Sequence, residues 1–281
     1  MLRVTSSTKR VSVSRSRNRS LPAILWVPAA LAMAVLGLPL VALILRAPWA
    51  QLPELLAREE TVAALLLSLG TSAVATIVSV ILGVPLAVVL ARSASWPAVP
   101  RRLMHALVTV PLVLPPVVGG VALLLLLGRR GLIGEWLDAW WGISIPFTTS
   151  AVVIAQVFVA MPFLVLAVEG ALRSSDRRFE VVASTLGASR FTVFRRITLP
   201  LVAPAVAAGA LLSFTRSLGE FGATITFAGS FPGVTQTLPI ATYLELQRDP
   251  NAAIALSLLL MAVAVVVLVS LRDRWVPGVT A

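Results

Sequence analysis

Six apolar runs of about 20 residues or more leave this 281-residue chain few ways to fold. They cover residues 24–45, 62–91, 103–127, 148–172, 201–228 and 252–271. A helix needs about 20 apolar residues to cross the hydrocarbon of a bilayer. Each run is therefore read as a membrane span, and the expected fold is all-α and polytopic, with six transmembrane helices. Charged residues make up 12% of the chain, against about 25% in soluble domains. The chain has no cysteine, which excludes disulfides, thiolate metal sites and a Cys nucleophile. Its lone histidine, His105, excludes multi-His metal sites, and no role is assigned to it.

The stretches between the runs differ in charge. Residues 1–20 hold Arg3, Lys9, Arg10, Arg15, Arg17 and Arg19 and no acid, the composition of a disordered cytoplasmic tail. An A-x-A-like site at Ala32-Met33-Ala34 lies inside the first run, so an uncleaved first helix is expected. Residues 21–275 are expected to form the transmembrane domain and 276–281 a short cytoplasmic tail. Seventeen of the 23 Lys and Arg fall in the first tail, loop 92–102, segment 173–196 and the C-terminus. Five fall in the other loops, and Arg216 lies inside a run. That bias places both termini in the cytoplasm. A net charge of +11 spread over loops in this way marks topology rather than a nucleic-acid-binding face. Residues 46–61, with both charge signs and two prolines, are expected to be a loop. Trp136, Trp140 and Trp141 in 129–146 suit a membrane–water interface. Pro111, Pro115, Pro116, Gly119 and Gly120 break the third run, and kinked helices often border a cavity.

Residues 173–200 read RSSDRRFEVVASTLGASRFTVFRRITLP. A helix–turn–helix over 176–194 would put Phe179, Val182, Ala183 and Leu186 on one face. Gly187 would then end the first helix in a left-handed conformation. Phe191, Val193 and Phe194 supply a second apolar cluster. So short a helix is marginal alone. It would either fit a cleft on a soluble partner or lie on an anionic leaflet.

The sequence LGAS followed by RRITLP resembles the cytoplasmic EAA signature of ABC importer permeases. Ala183, Gly187, Ile197, Leu199 and Pro200 match it. Its glutamate and first alanine fall on Val181 and Val182, with Glu180 one residue early. TVPLVLPPVVGG, LLLLLGRRGLIG, FTRSLGEFGATITFAG and PGVTQTLPIATY extend the resemblance to the molybdate permease branch, whose close relatives are the sulfate/thiosulfate permeases. It spans about residues 68–272. The resemblance implies a type I ABC importer permease fold with a short cytoplasmic coupling helix. It also implies a homodimer, two cytoplasmic ABC ATPase subunits, and an extracytoplasmic oxyanion-binding protein in a bacterial plasma membrane. Glu180, Val182, Ala183, Leu186, Gly187, Phe191 and Phe194 would couple to the ATPase. The cargo would be molybdate, with tungstate possible. A sulfate/thiosulfate permease is the alternative, and a secondary transporter a more distant one.

Arg216 and Glu220 stand four apart inside the fifth run, where each charge costs about 2.5–3.5 kcal/mol on insertion scales. They could line the substrate route, Arg216 offering charge to an oxyanion, or form a static pair that fixes packing. Gly219, Gly222, Thr224 and Thr226 are small residues that let helices approach closely. Thr235, Gln236 and Thr237, in 229–243, could contact the binding protein, rim the pore or sit in a solvated loop. Thr224 and Thr237 join Arg216 and Glu220 as pathway candidates. With no Walker motif or nucleophile–base set, the chain is expected to be a transporter subunit that binds no cofactor. ATP would be used by a partner chain.

Overall fold

The computed structural model describes residues 23–176 and 178–275. The tails expected at 1–20 and 276–281 lie outside them. The described residues fold into helices joined by short turns. Helix α1 (Trp26–Leu45) follows a 3₁₀ turn at Ala23–Leu25, carries Pro39 and buries none of its residues. The chain divides after Leu45, and the remaining helices belong to a second unit. They are α2 (Leu52–Ala57), α3 (Glu59–Arg92), α4 (Ala98–Val113), α5 (Pro116–Leu127), α6 (Gly134–Trp141) and α7 (Thr149–Ser174). There follow α8 (Arg178–Thr185), α9 (Arg190–Val193), α10 (Leu199–Leu218), α11 (Gly222–Ala228), α12 (Leu238–Leu246) and α13 (Pro250–Trp275).

The core of the second unit is the packing of α3, α7 and α10. Helix α3 runs 34 residues, about 51 Å at 1.5 Å per residue. Its buried stripe is made of small side chains: Ala64, Ser68, Ser72, Ala75, Ser79, Gly83 and Ala87. Lipid is as apolar as leucine, so helices in it associate through close packing rather than hydrophobic burial. Leu164 of α7 shows how close. A Cβ on Gly83 would lie 2.9 Å from Leu164 Cδ2, and one on Gly209 would lie 3.1 Å from Leu164 Cα. Leu164 is thus held between a glycine of α3 and a glycine of α10.

Among the described residues five helical stretches are long and apolar enough to cross a membrane, and a bent pair, taken as one span, makes a sixth. That pair corrects the third run. It is two helices, α4 and α5, meeting at 119°. Pro115 and Pro116 cannot donate to the helix ladder, and Leu114, which precedes a proline, is held extended. The fifth run is also two helices. Helix α10 ends at Leu218, Gly219–Phe221 are not α-helical, and α11 begins at Gly222. In the other direction the helix extends back past Pro200 to Arg190, through a π-turn at Phe194–Thr198. Pro200 has no N–H for the Arg196 carbonyl, and a widened turn accommodates that loss.

Three expected loops contain structure. Residues 46–61 hold α2 and the start of α3, and residues 129–146 hold α6, where Trp136 and Trp140 meet edge to face. Segment 229–243 is a solvated loop only over residues 231–234, which are exposed. Thr235, Leu238 and Ile240 are fully buried, and the Leu238 N–H donates to Ser68 Oγ of α3 at 2.7 Å.

Candidate functional site

The expected helix–turn–helix forms where the spacing puts it. Helix α7 ends at Ser174, and α8 begins four residues later. Gly187 has φ +83°. The Gly187 N–H donates to the Ser184 carbonyl, and the Ala188 N–H to that of Ala183. These two bonds are the Schellman cap, which requires a left-handed residue that glycine alone adopts without strain. Ser189 then opens α9, its hydroxyl accepting the Thr192 N–H at 3.2 Å.

The outward face of α8 is apolar. Phe179, Val182 and Leu186 are 62%, 56% and 82% exposed, and Phe191 of α9 is 70% exposed. A groove of about 920 Å³ runs between Phe179, Val182 and Leu186 on one side and Ile197, Pro200 and Leu201 on the other. Ala183 and Phe194 are half-buried behind this face.

Glu180 points the other way. Its Oε1 accepts from the Thr198 hydroxyl at 2.5 Å, and Arg92 Nη2 lies 3.3 Å from the same oxygen. Thr198 is buried in the π-turn, and Arg92 is the last residue of α3. The carboxylate therefore fastens α8 to the ends of α3 and α10 while the apolar face stays open. Arg92 and Thr198 were not singled out in the sequence. Arg92 registered only as a topological charge, and nothing local marks Thr198 as a partner of a residue 18 positions away.

The second cluster lies at the α10–α11 break. Arg216 Nη1 is 2.6 Å from Glu220 Oε2. Arg216 sits in the last turn of α10, where a cation faces the negative end of the helix dipole. Glu220 lies in the break and is 1% exposed, and its Oε1 accepts the Ala223 N–H at 2.9 Å. Gln156 of α7 reaches the same place, its Nε2 donating to the Ser217 carbonyl at 3.2 Å. It is the one amide in the fourth run, a signal the sequence reading passed over. Around the break Thr224 Oγ1, Ser217 Oγ and Gln156 Oε1 are buried with no hydrogen-bond partner among the described residues. Arg216 and Glu220 are thus paired at the break, and Thr224 lies buried in the first turn of α11 beyond it. Thr237 does not join them through any hydrogen bond; it precedes α12, and its buried hydroxyl is unpartnered.

Packing around the break depends on glycine. A Cβ on Gly120 of α5 would lie 2.8 Å from the Ala223 carbonyl oxygen, and one on Gly222 would lie 2.9 Å from Pro116 Cβ. The two broken spans therefore meet, α5 against α11.

The family model described as binding-protein-dependent transport system inner membrane component matches residues 83–279. The chain is 51% identical over 254 residues to the molybdenum transport system permease protein ModB of Mycobacterium tuberculosis, covering 90% of this chain and 95% of that one. It is 41% identical over 217 residues to ModB of Escherichia coli K12 (77% and 93% covered). It is 36% identical over 242 residues to the sulfate transport system permease protein CysT of the same organism (85% and 86% covered). Among solved structures, a bacterial ABC transporter that imports the acidic polysaccharide alginate has a similar fold. Its TM-score is 0.69 at 17% identity, with 89% of this chain and 93% of that chain covered. By sequence and by fold, the chain belongs to the inner membrane component family of binding-protein-dependent transport systems, the permeases of ABC importers.

Proposed function

We propose that the chain is the membrane permease of an ATP-driven molybdate importer, with tungstate an alternative cargo. The single observation that carries the cargo is its similarity to relatives named as molybdenum permeases, 51% and 41% identical. The sulfate relative is 36% identical. We infer further that α8 seats on a cytoplasmic ATPase, one per copy in a homodimer, and that an extracytoplasmic binding protein delivers the anion. Phe179, Val182, Leu186 and Phe191 would enter the ATPase groove, Gly187 shaping the tip. Closure of the ATPase pair would push α8, and Glu180 would pass the movement to α3 and α10. The Arg92–Glu180 pair supports the orientation with both termini inside the cell, because it joins the two basic stretches 92–102 and 173–196 at one end of the molecule.

At the break, Arg216 with the unpartnered Thr224 hydroxyl would meet the anion in transit. Glu220 offsets part of the arginine's charge, which favours passage over tight retention. Thr237 would stand apart, toward α3. Uptake by the chain reconstituted with its ATPase and binding protein tests the whole reading. Molybdate entry that exceeds sulfate entry and needs ATP is expected. Preferential entry of sulfate would transfer the chain to the sulfate class. For the pathway, Arg216→Ala in a folded protein is expected to lower uptake at least about tenfold, equivalent to ~1.4 kcal/mol; unchanged uptake removes the role.

A further inference from the structure

The lone histidine belongs to an ion cluster that neither the coupling surface nor the helix break uses. His105 Nδ1 lies 2.8 Å from the Arg101 carbonyl oxygen. A carbonyl oxygen only accepts, so Nδ1 carries a proton. Nε2 lies 2.9 Å from Glu169 Oε1 and 2.9 Å from Arg173 Nη2. Those two atoms are 2.7 Å from each other. Glu169 is 5% exposed, and a carboxylate so buried must be paired. Both Glu169 and Arg173 sit in the last turns of α7, whereas His105 belongs to α4.

Nε2 therefore faces an obligate donor and an acceptor at the same distance. A guanidinium cannot accept, and an ionised carboxylate cannot donate. With one ring proton, Nε2 accepts from Arg173, and Glu169–Arg173 is a pair internal to α7. With two, Nε2 donates to Glu169 instead, so α4 is tied to α7 in both states and protonation exchanges its partner from Arg173 to a charge-assisted bond with Glu169. Among the described residues, the charged groups facing the ring come from α7. Helix α3, also packed against α4, presents Arg92, which is engaged with Glu180. The Arg101 guanidinium donates to the Ala94 carbonyl.

We propose that His105, Glu169 and Arg173 form a proton-dependent latch that positions α4 against α7 during transport. Helix α4 is the arm of the bent span that leads to the 119° turn, and α7 runs directly into the coupling segment. The latch thus links the bent span to the base of α8. This rests on α8 being the ATPase seat. His105 is a positioning residue here and touches no substrate.

The test uses the assembled transporter in proteoliposomes, with molybdate as the probe. Molybdate taken up per ATP hydrolysed is measured from about pH 5 to 8, where histidine charge changes fall, for the wild type and His105→Gln. The wild-type ratio is expected to change roughly fivefold across that range, and the His105→Gln ratio to stay flat. Parallel profiles overturn the latch. If His105→Gln does not assemble, Glu169→Gln, which keeps the side chain's shape and loses its charge, is read in the same way: a flat profile supports the latch and a wild-type profile overturns it. A wild type that takes up no molybdate at any pH contradicts the proposed cargo instead.

Discussion

Single positions at the helix contacts carry sharply different constraints. A methyl at Gly120 would meet the backbone oxygen of Ala223, which cannot swing aside, and Thr226 Cβ at 2.7 Å. A methyl at Gly83 would meet the end of the Leu164 side chain, which can. Gly120→Ala is therefore expected to cost about 1–3 kcal/mol and Gly83→Ala distinctly less, read as melting temperature of the purified permease. Equal losses would contradict the packing described. The ion pair at the break is asymmetric in the same sense. Arg216→Gln strands a carboxylate whose side chain is 1% exposed, whereas Glu220→Gln strands a guanidinium that is 28% exposed. The first change is expected to cost roughly 3 kcal/mol and the second less, by the same measurement.

Helix α8 separates contacts that hold it from a surface that it leaves open. Leu186 touches almost nothing in the permease, being 82% exposed. Leu186→Asp is expected to leave permease stability within about 0.5 kcal/mol and to weaken ATPase association at least about tenfold, as read by co-purification at graded concentrations. Glu180→Gln is expected to do the reverse, leaving association intact while uptake per ATP falls, because the tie to Thr198 and Arg92 is lost. Gly187 as the end of α8 was legible beforehand, since a glycine after an apolar helical face has a local conformational reason to be there. The bend of the third span was half legible. Pro115-Pro116 announces a stop, but it does not announce the 119° angle or the close approach of Gly119 to Phe158 and of Gly120 to α11. The break at Glu220 was hidden, because four-residue spacing from Arg216 looks the same whether the helix continues or ends. His105 gave no signal at all; its partner Glu169 is 64 residues away.

Across the molecule, span count and sidedness were readable because hydropathy and basic charge add up along the chain without reference to contacts. What the contacts add is a continuous connection along which the proposed coupling would run. Glu180 joins α8 to α3 and α10, those helices enclose Leu164 of α7, and α11 follows α10 across the break that holds Glu220. The most direct test of that route begins at α8. The chain has no cysteine of its own, so Leu186→Cys supplies a single thiol, to be paired with one cysteine in the groove of the partner ATPase. Oxidation of the reconstituted importer is predicted to give one covalent permease–ATPase product, with molybdate uptake lost on cross-linking and regained on reduction. Persistent uptake with no such product, in any nucleotide state, would contradict it.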